Sequence, residues 1–361
     1  MTRLLLTADT VGGVWQYATD LAGALTERGV EPVLVTLGPR ATDAQRASLP
    51  DFELVESGLP LDWLADSPRE VTQAGHELAR LADRLRADIV QLNAPALAAA
   101  ARFDQPVVAV AHSCVGTWWQ AVKGGRIDPD LAWRAELTVA GLRAATRVVA
   151  PSGAFAASLQ HRYELPEPPL VVRNGRRPLP MPDLPREDFA FTAGRLWDEG
   201  KNLAVLDAAA ALTRVPIRAA GPLQGPNASS IGFRRLQPLG SLDELHLARQ
   251  LARKPVFVSS AVYEPFGLAV LEAAQAGCAL VLADIPTFRE LWDGAARFVY
   301  PHDAEGFARA IDDLTGDPAL RARLESQARE RARDYGVARM ADAMLGLYRG
   351  LPAIAPERVA A

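Results

Sequence analysis

The sequence predicts an α/β protein made of two similar halves, each a parallel sheet with helices on both faces. Three observations lead there. Short apolar runs alternate with amphipathic runs of helical period along most of the 361 residues, and strands that alternate with helices pair in parallel. One proline-rich stretch interrupts the alternation, and the same strand-and-helix order restarts beyond it. The length itself, at roughly 150 residues per domain, gives about two domains.

In the first half, Leu4 to Thr7 reads as a short buried strand, Ala8-Asp9-Thr10-Val11-Gly12-Gly13 as a loop, and Val14 to Arg28 as an amphipathic helix. The pattern continues with strand Pro32 to Leu37, helix Pro68 to Arg86, strands Asp88 to Leu92 and Pro106 to Ala111, helix Pro129 to Ala145 and strand Arg147 to Ala150. Leu165 to Pro185 holds seven prolines around one short strand and reads as the linker. The second half runs through strand Phe189 to Ala193, helix Leu203 to Leu212, strand Pro216 to Ala220, helix Leu242 to Ala252, strand Val256 to Ser259, helix Leu268 to Ala276 and strand Ala279 to Leu282. The expected domains are residues 1–168 and 169–336. Open parallel sheets bind ligands at the carboxyl ends of their strands, so the cleft between two such domains is the expected active site. In the arginine-rich helix Arg321 to Arg333, Glu325, Glu330 and Asp334 interleave with the arginines, the pattern of a solvated, ion-paired face rather than of a nucleic-acid arm.

With 49% hydrophobic and 23% charged residues, the chain can bury a large core, which excludes disordered and fibrous classes. The formal net charge is -4, so no basic field attracts nucleic acid or anionic lipid, and any phosphate must be held locally. Cys114 and Cys278 have neither metal nor redox spacing and form no disulfide framework, which fits a reducing compartment, with the cytoplasm as the default. The N-terminus turns polar too soon for a signal peptide, no stretch approaches ~18 uninterrupted apolar residues, and nothing indicates peripheral membrane contact. Gly-x-Gly-x-x-Gly, Gly-x-Ser-x-Gly, the Walker loop and metal-ligand spacings are absent, which argues against nicotinamide dinucleotide, serine hydrolase, P-loop and metal hydrolase chemistry.

Two motifs carry the chemistry. In Ser259-Ser260-Ala261-Val262-Tyr263-Glu264-Pro265-Phe266-Gly267-Leu268-Ala269-Val270-Leu271-Glu272-Ala273, the two glutamates stand eight residues apart, one before a helix and one inside it. Pro265 and Gly267 mark the turn, so the backbone N–H groups of Gly267, Leu268 and Ala269 should be free to hold an anion. Glu272, about one turn further in, is near enough for sugar hydroxyls beside such a phosphate. The alternative reading makes Glu264 a helix-start carboxylate and Glu272 an exposed helical residue. In Gly194-Arg195-Leu196-Trp197-Asp198-Glu199-Gly200-Lys201, two cations six apart flank one loop after a strand. Arg195 can fork onto phosphate oxygens while Lys201 supplies a point charge at a helix start, where a bound anion would relieve it. The alternative is a surface ion pair with Asp198 or Glu199. Only three lysines stand against 36 arginines, which draws attention to Lys201. His112 closes an apolar strand where an open sheet displays ligand-facing side chains, although a lone histidine is often structural.

Together these residues resemble family 4 of the retaining glycosyltransferases, whose architecture, GT-B, sets two Rossmann-like domains with parallel sheets facing across a cleft. Glu264 to Glu272 resembles that family's Glu-x7-Glu motif with its Pro-Phe-Gly-Leu insert, and Gly194-Arg195-Leu196 with Lys201 resembles its diphosphate-binding pair. Gly12-Gly13, His112, Pro151-Ser152 and Val172-Arg173-Asn174-Gly175 follow in family order, and a last helix near 337–350 resembles the segment that packs back on the first domain. The resemblance implies that the first domain serves the acceptor and the second the nucleotide sugar. It gives Glu272 the ribose, Arg195 and Lys201 the diphosphate, and Glu264 the donor sugar, with Phe266, Gly267 and Leu268 nearby. His112 lies beside the anomeric centre, and Gly12 and Gly13 near the donor phosphates or the acceptor. No cofactor or metal is implied, and family frequency favours a uridine diphosphate sugar as donor. Trp118 and Trp119 depart from the usual pattern and either stack on an acceptor sugar or pack as core. The stretch between Gly221 and Pro238, rich in glycine, proline and serine, departs as well, where the nucleobase loop would lie. A non-catalytic nucleotide- or glycan-binding protein, or a phosphorylase or epimerase on the same fold, are the competing functions.

Overall fold

In the computed structural model, which describes residues 2–50, 52–226 and 229–352, every sheet strand pairs in parallel with its neighbours. Asn227 and Ala228, inside the Gly221–Pro238 stretch, lie outside the described residues. The chain divides into two units: one comprises the chain up to Gln120, Gly125–Gly175 and the chain from Val337, the other Ala121–Gly124 and Arg176–Gly336.

The first unit holds β1 (Thr2–Asp9), β2 (Val30–Leu37), β3 (Glu53–Glu56), β4 (Ile89–Leu92), β5 (Val107–Val110), β6 (Arg147–Ala150) and β7 (Leu170–Val171) in the order β3-β2-β1-β4-β5-β6-β7. Successive side chains of a strand leave on opposite faces. Leu4 and Leu6 therefore join the cluster of helix Gly13–Thr26, while Leu5 joins that of helix Pro68–Arg84, which is why the strand reads as continuously apolar. The last helix, Val337–Arg349, belongs to this unit, burying Met340, Ala341, Met344 and Tyr348 with Trp15 and Leu21, while Arg28 pairs with Asp342 at 2.6 Å.

The second unit holds β8 (Ala190–Ala193), β9 (Ile217–Ala220), β10 (Gln237–Gly240), β11 (Val256–Ser259), β12 (Ala279–Ala283) and β13 (Arg297–Val299) in the order β10-β9-β8-β11-β12-β13. In each sheet the order reverses once, between β1 and β4 and between β8 and β11, and loops leaving such a point form a ligand crevice. Among the described residues no helix is long and apolar enough to cross a membrane.

The arginine-rich helix has the expected solvated, ion-paired face only in part. It spans Pro318–Ala332, and Arg321, 2% exposed, donates to Asp188 at 2.7 Å and to the Lys254 carbonyl at 2.5 Å, so part of its charge is buried structure. Arg333 and Glu330 do form an exposed pair, at 2.5 Å.

Candidate functional site

At the switch point of the second unit the chain leaves β8 through Gly194, with φ +148°, and β9 through Gly221, with φ +142°. A Cβ on Gly221 would fall 1.8 Å from the Gly194 carbonyl oxygen, so only glycine permits this approach of the two loops. Arg195 then donates to Asp198 at 3.0 Å, and Asp198 caps the 3-10 turn Glu199–Lys201 by accepting the Gly200 N–H at 2.9 Å. Asn202, left-handed at φ 55°, donates to the carbonyls of Ser260 (3.1 Å) and Pro301 (2.8 Å). The Ser260 hydroxyl returns bonds of 3.0 Å to the carbonyls of Lys201 and Asn202, and Val262 N–H reaches the Gly200 carbonyl at 2.9 Å. These ties lock the loop after β8 against the loop after β11. They bring the Lys201 ammonium onto the Glu264 carboxylate, both largely buried. Lys201 and Glu264 line a small concavity together with Thr192, Gly194, Ser259 and Ala269.

The relief expected for Lys201 from a bound anion is thus already supplied by Glu264. Arg195 has the Asp198 partner of the alternative reading, and its guanidinium also stands 5.5 Å from the Trp197 ring centroid.

Helix Leu268–Gln275 starts at Gly267, whose φ of +95° needs glycine, and no side chain caps it. Its first-turn amides are the donors that a helix start leaves for an anion. Phe266 belongs to the core, edge-on to Tyr335 at 5.6 Å between ring centroids, and Leu268 packs partly buried against that core. Glu272 is buried, against the alternative of an exposed residue, and its Oε1 accepts from Arg176 Nε at 2.8 Å. Arg176 Nη2 donates to Glu244 at 2.5 Å, and Gln275 Nε2 donates to the Arg176 carbonyl at 2.8 Å. Arg176 escaped the sequence reading. The signal was its position directly after Asn174-Gly175, in a stretch otherwise taken as linker.

The remaining candidates lie in the first unit. Gly12 is the extended N-cap of helix Gly13–Thr26, with no side-chain cap, and its carbonyl accepts the Trp15 N–H at 3.1 Å. His112 follows β5, its Nε2 3.2 Å from Asn93 Oδ1 and its ring edge-on to Tyr17 at 4.4 Å; burial lowers its pKa to about 3. Trp118 and Trp119 sit half-buried on helix Val115–Val122, their rings tilted at 6.4 Å between centroids, and Trp119 Nε1 is buried without a hydrogen-bond partner among the described residues. Beside β1, burial and the neighbouring Asp9 raise the Asp62 carboxyl to about 6. Among the described residues no group of three or more His, Cys, Asp or Glu side chains is placed to hold a metal.

Two doubly wound parallel sheets, with paired cations and an uncapped helix start at the switch point of the second, define an α/β protein of the GT-B class. The profile of Glycosyltransferase Family 4 matches residues 11–178, and that of Glycosyl transferases group 1 matches residues 235–331. The chain is 26% identical to a glycogen synthase of Mycobacterium tuberculosis over 376 residues, covering 89% of this chain and 86% of that one. Sucrose-phosphate synthase from Thermosynechococcus elongatus shares the fold with a TM-score of 0.80 at 19% identity, over 97% and 98% of the two chains. Anabaena HepE in complex with UDP-glucose does so with a TM-score of 0.69 at 19% identity, over 97% and 100%. The chain is thus a glycosyltransferase of the GT-B type, its first part matching the family 4 model.

Proposed function

We propose that this glycosyltransferase moves a sugar from a nucleoside diphosphate sugar to a glycan, lipid-linked or small-molecule acceptor, with retention at the anomeric carbon and without a metal ion. The observation that carries the reading is the gathering, at one switch point, of Arg195, the Lys201–Glu264 pair and the uncapped start of helix Leu268–Gln275, with Glu272 about a turn further in. Arg195, Lys201 and the amides of Gly267, Leu268 and Ala269 hold the diphosphate, Glu272 takes the ribose hydroxyls, and Glu264 takes the donor sugar. Fixed donors of this kind stabilise the charge that grows on a departing diphosphate. A uridine diphosphate sugar is the favoured donor, supported by the resemblance and by the nucleotide sugar bound to the Anabaena neighbour. The free cysteines favour the cytoplasm as the location.

Glu264 is engaged by Lys201 and Glu272 by Arg176, so neither is placed as a nucleophile and acid pair. A front-face route follows. The bond from the anomeric carbon to the diphosphate oxygen breaks, the acceptor oxygen bonds to that carbon from the same side, and its proton passes to the departing phosphate oxygen. His112, neutral, fixes the sugar. The test is turnover by the purified chain of uridine, guanosine, adenosine and thymidine diphosphate sugars, with proton NMR of the first-formed product. A β linkage from an α donor refutes retention. Nucleotide binding without turnover favours the non-catalytic alternative, and phosphate-dependent breakdown of a disaccharide the phosphorylase.

A further inference from the structure

Behind His112 runs a chain of buried side chains that the roles above do not use. Asn93, just after β4, donates its Nδ2–H to the Thr7 carbonyl at 2.6 Å, and a carbonyl only accepts, so the orientation of the amide is set. Asn93 Oδ1 is then an acceptor, which takes the Gln91 Nε2–H at 3.1 Å and faces His112 Nε2 at 3.2 Å. The histidine nitrogen in that contact must carry the proton. Gln91, fully buried, also donates to the Tyr17 hydroxyl at 3.3 Å, while its Oε1 accepts the hydroxyl of Tyr348 from the last helix. Burial pushes both tyrosine hydroxyls far up, so Tyr348 remains a donor. Every direction along Tyr348, Gln91, Asn93 and His112 thus agrees with the anchor at Thr7. The Tyr17 ring, edge-on at 4.4 Å, packs against the imidazole.

We propose that Tyr348, Gln91 and Asn93 are positioning residues that hold His112 as the neutral Nε2–H tautomer, so that its Nδ1 accepts a hydrogen bond from a hydroxyl group of the bound sugar. The contact with sugar rests on the transferase function proposed above; the tautomer does not. A bare Nδ1 repels phosphate oxygens and ether oxygens alike, because it has no hydrogen to give. His112 therefore selects a ligand with a free hydroxyl at the contacted carbon. The last helix, 257 residues from Gln91 in sequence, becomes part of the machinery that sets this selectivity.

Nitrogen-15 NMR of the full chain with labelled imidazoles reads the tautomer directly. The expected result, across roughly pH 6 to 8, is a protonated Nε2 and a bare Nδ1 for His112. An Nδ1–H tautomer or an imidazolium overturns the proposal. Steady-state transfer in a double-mutant cycle tests the coupling. Tyr348→Phe removes one hydroxyl and should lower kcat/KM about threefold to tenfold, but less than about twofold in a His112→Ala background. Equal losses in both backgrounds would make Tyr348 merely structural and would also overturn it. Failure to turn over any nucleoside diphosphate sugar would refute the transferase function instead, and the NMR result would still decide the tautomer.

Discussion

Replacing Arg176 by methionine separates buried from exposed electrostatics within one residue's contacts. The Arg176 side chain is 5% exposed and bridges two carboxylates, Glu272 at 10% exposure and Glu244 at 56%. Removing one member of a buried pair costs about 3–5 kcal/mol, because the other charge stays desolvated, whereas an exposed pair contributes ~0–1 kcal/mol. Arg176→Met should therefore destabilise the second unit by about 3–5 kcal/mol, and Glu244→Ala by less than about 1 kcal/mol. Adding Glu272→Gln to Arg176→Met should restore part of the loss, since the carboxylate charge goes with it. Urea unfolding at neutral pH, read as the midpoint of the second unit's transition, measures all three. Equal losses for Arg176→Met and Glu244→Ala would refute the argument, as would a further loss on adding Glu272→Gln.

Lys201→Ala should weaken nucleoside diphosphate binding about tenfold to hundredfold in calorimetry while hardly changing nucleoside binding. Glu264→Gln, which releases the Lys201 charge, should tighten diphosphate binding yet slow transfer; weaker binding would place Glu264 on the nucleotide instead. Exhaustive EDTA treatment should leave transfer intact, and activity lost and then restored by magnesium or manganese would remove the metal-independent route. His112, with a folded pKa of about 3 against 6.5 in the unfolded chain, leaves the unfolded state binding more protons between those values. Stability should then be full above that window and fall with falling pH inside it, by up to about 1.4 kcal/mol per pH unit, and His112→Gln should flatten the profile of the first unit. Asp62 has the opposite sign: raised to about 6 from 3.8, its carboxylate weakens the fold as pH rises through that window. Asp62→Asn should therefore stabilise the first unit at pH 7 by about 1–3 kcal/mol, measured by the same unfolding experiment.

The parallel α/β class was legible because buried central strands are continuous apolar runs. β6 and β11 match the ranges read from sequence, and β1, β5 and β12 differ from theirs only at their ends. The strands that escaped notice are β3, β10 and β13, peripheral and partly exposed, where Glu53, Glu56, Gln237 and Arg297 break the apolar signal. Helix Val115–Val122 was hidden by its two tryptophans, and Gly153–Tyr163 by a mixed polar surface, although Ser152 caps it by accepting the Phe155 N–H at 3.2 Å. At the candidate site, spacing revealed which residues carry charge but not which charges meet. Lys201 and Glu264 are 63 residues apart, and Arg176 and Glu272 are 96 apart. The pairing of β8 with β11 brings the loops that carry Lys201 and Glu264 side by side.

That pairing changes what the cations can do. Arg195 with Asp198 and Lys201 with Glu264 sum to no formal charge, so the site is not an open cationic trap. Under the proposed function, diphosphate must instead enter by exchange or by sharing. The two cations differ in how they allow it. The Arg195 side chain is 37% exposed and has five N–H donors, so it can add phosphate oxygens while keeping Asp198, which is itself fixed under the Gly200 amide. Lys201 is a point charge half enclosed by Glu264, and a phosphate oxygen arriving there places two anions side by side. Under the proposed function the carboxylate is relieved by turning to a hydroxyl donor, and the donor sugar carries hydroxyls next to the diphosphate. A free nucleoside diphosphate has none at that place and leaves Glu264 opposed, whereas the intact sugar nucleotide satisfies it. The Lys201–Glu264 pair would then discriminate substrate from product by the sugar hydroxyl that satisfies Glu264, holding the nucleotide sugar more firmly than the diphosphate that transfer leaves behind.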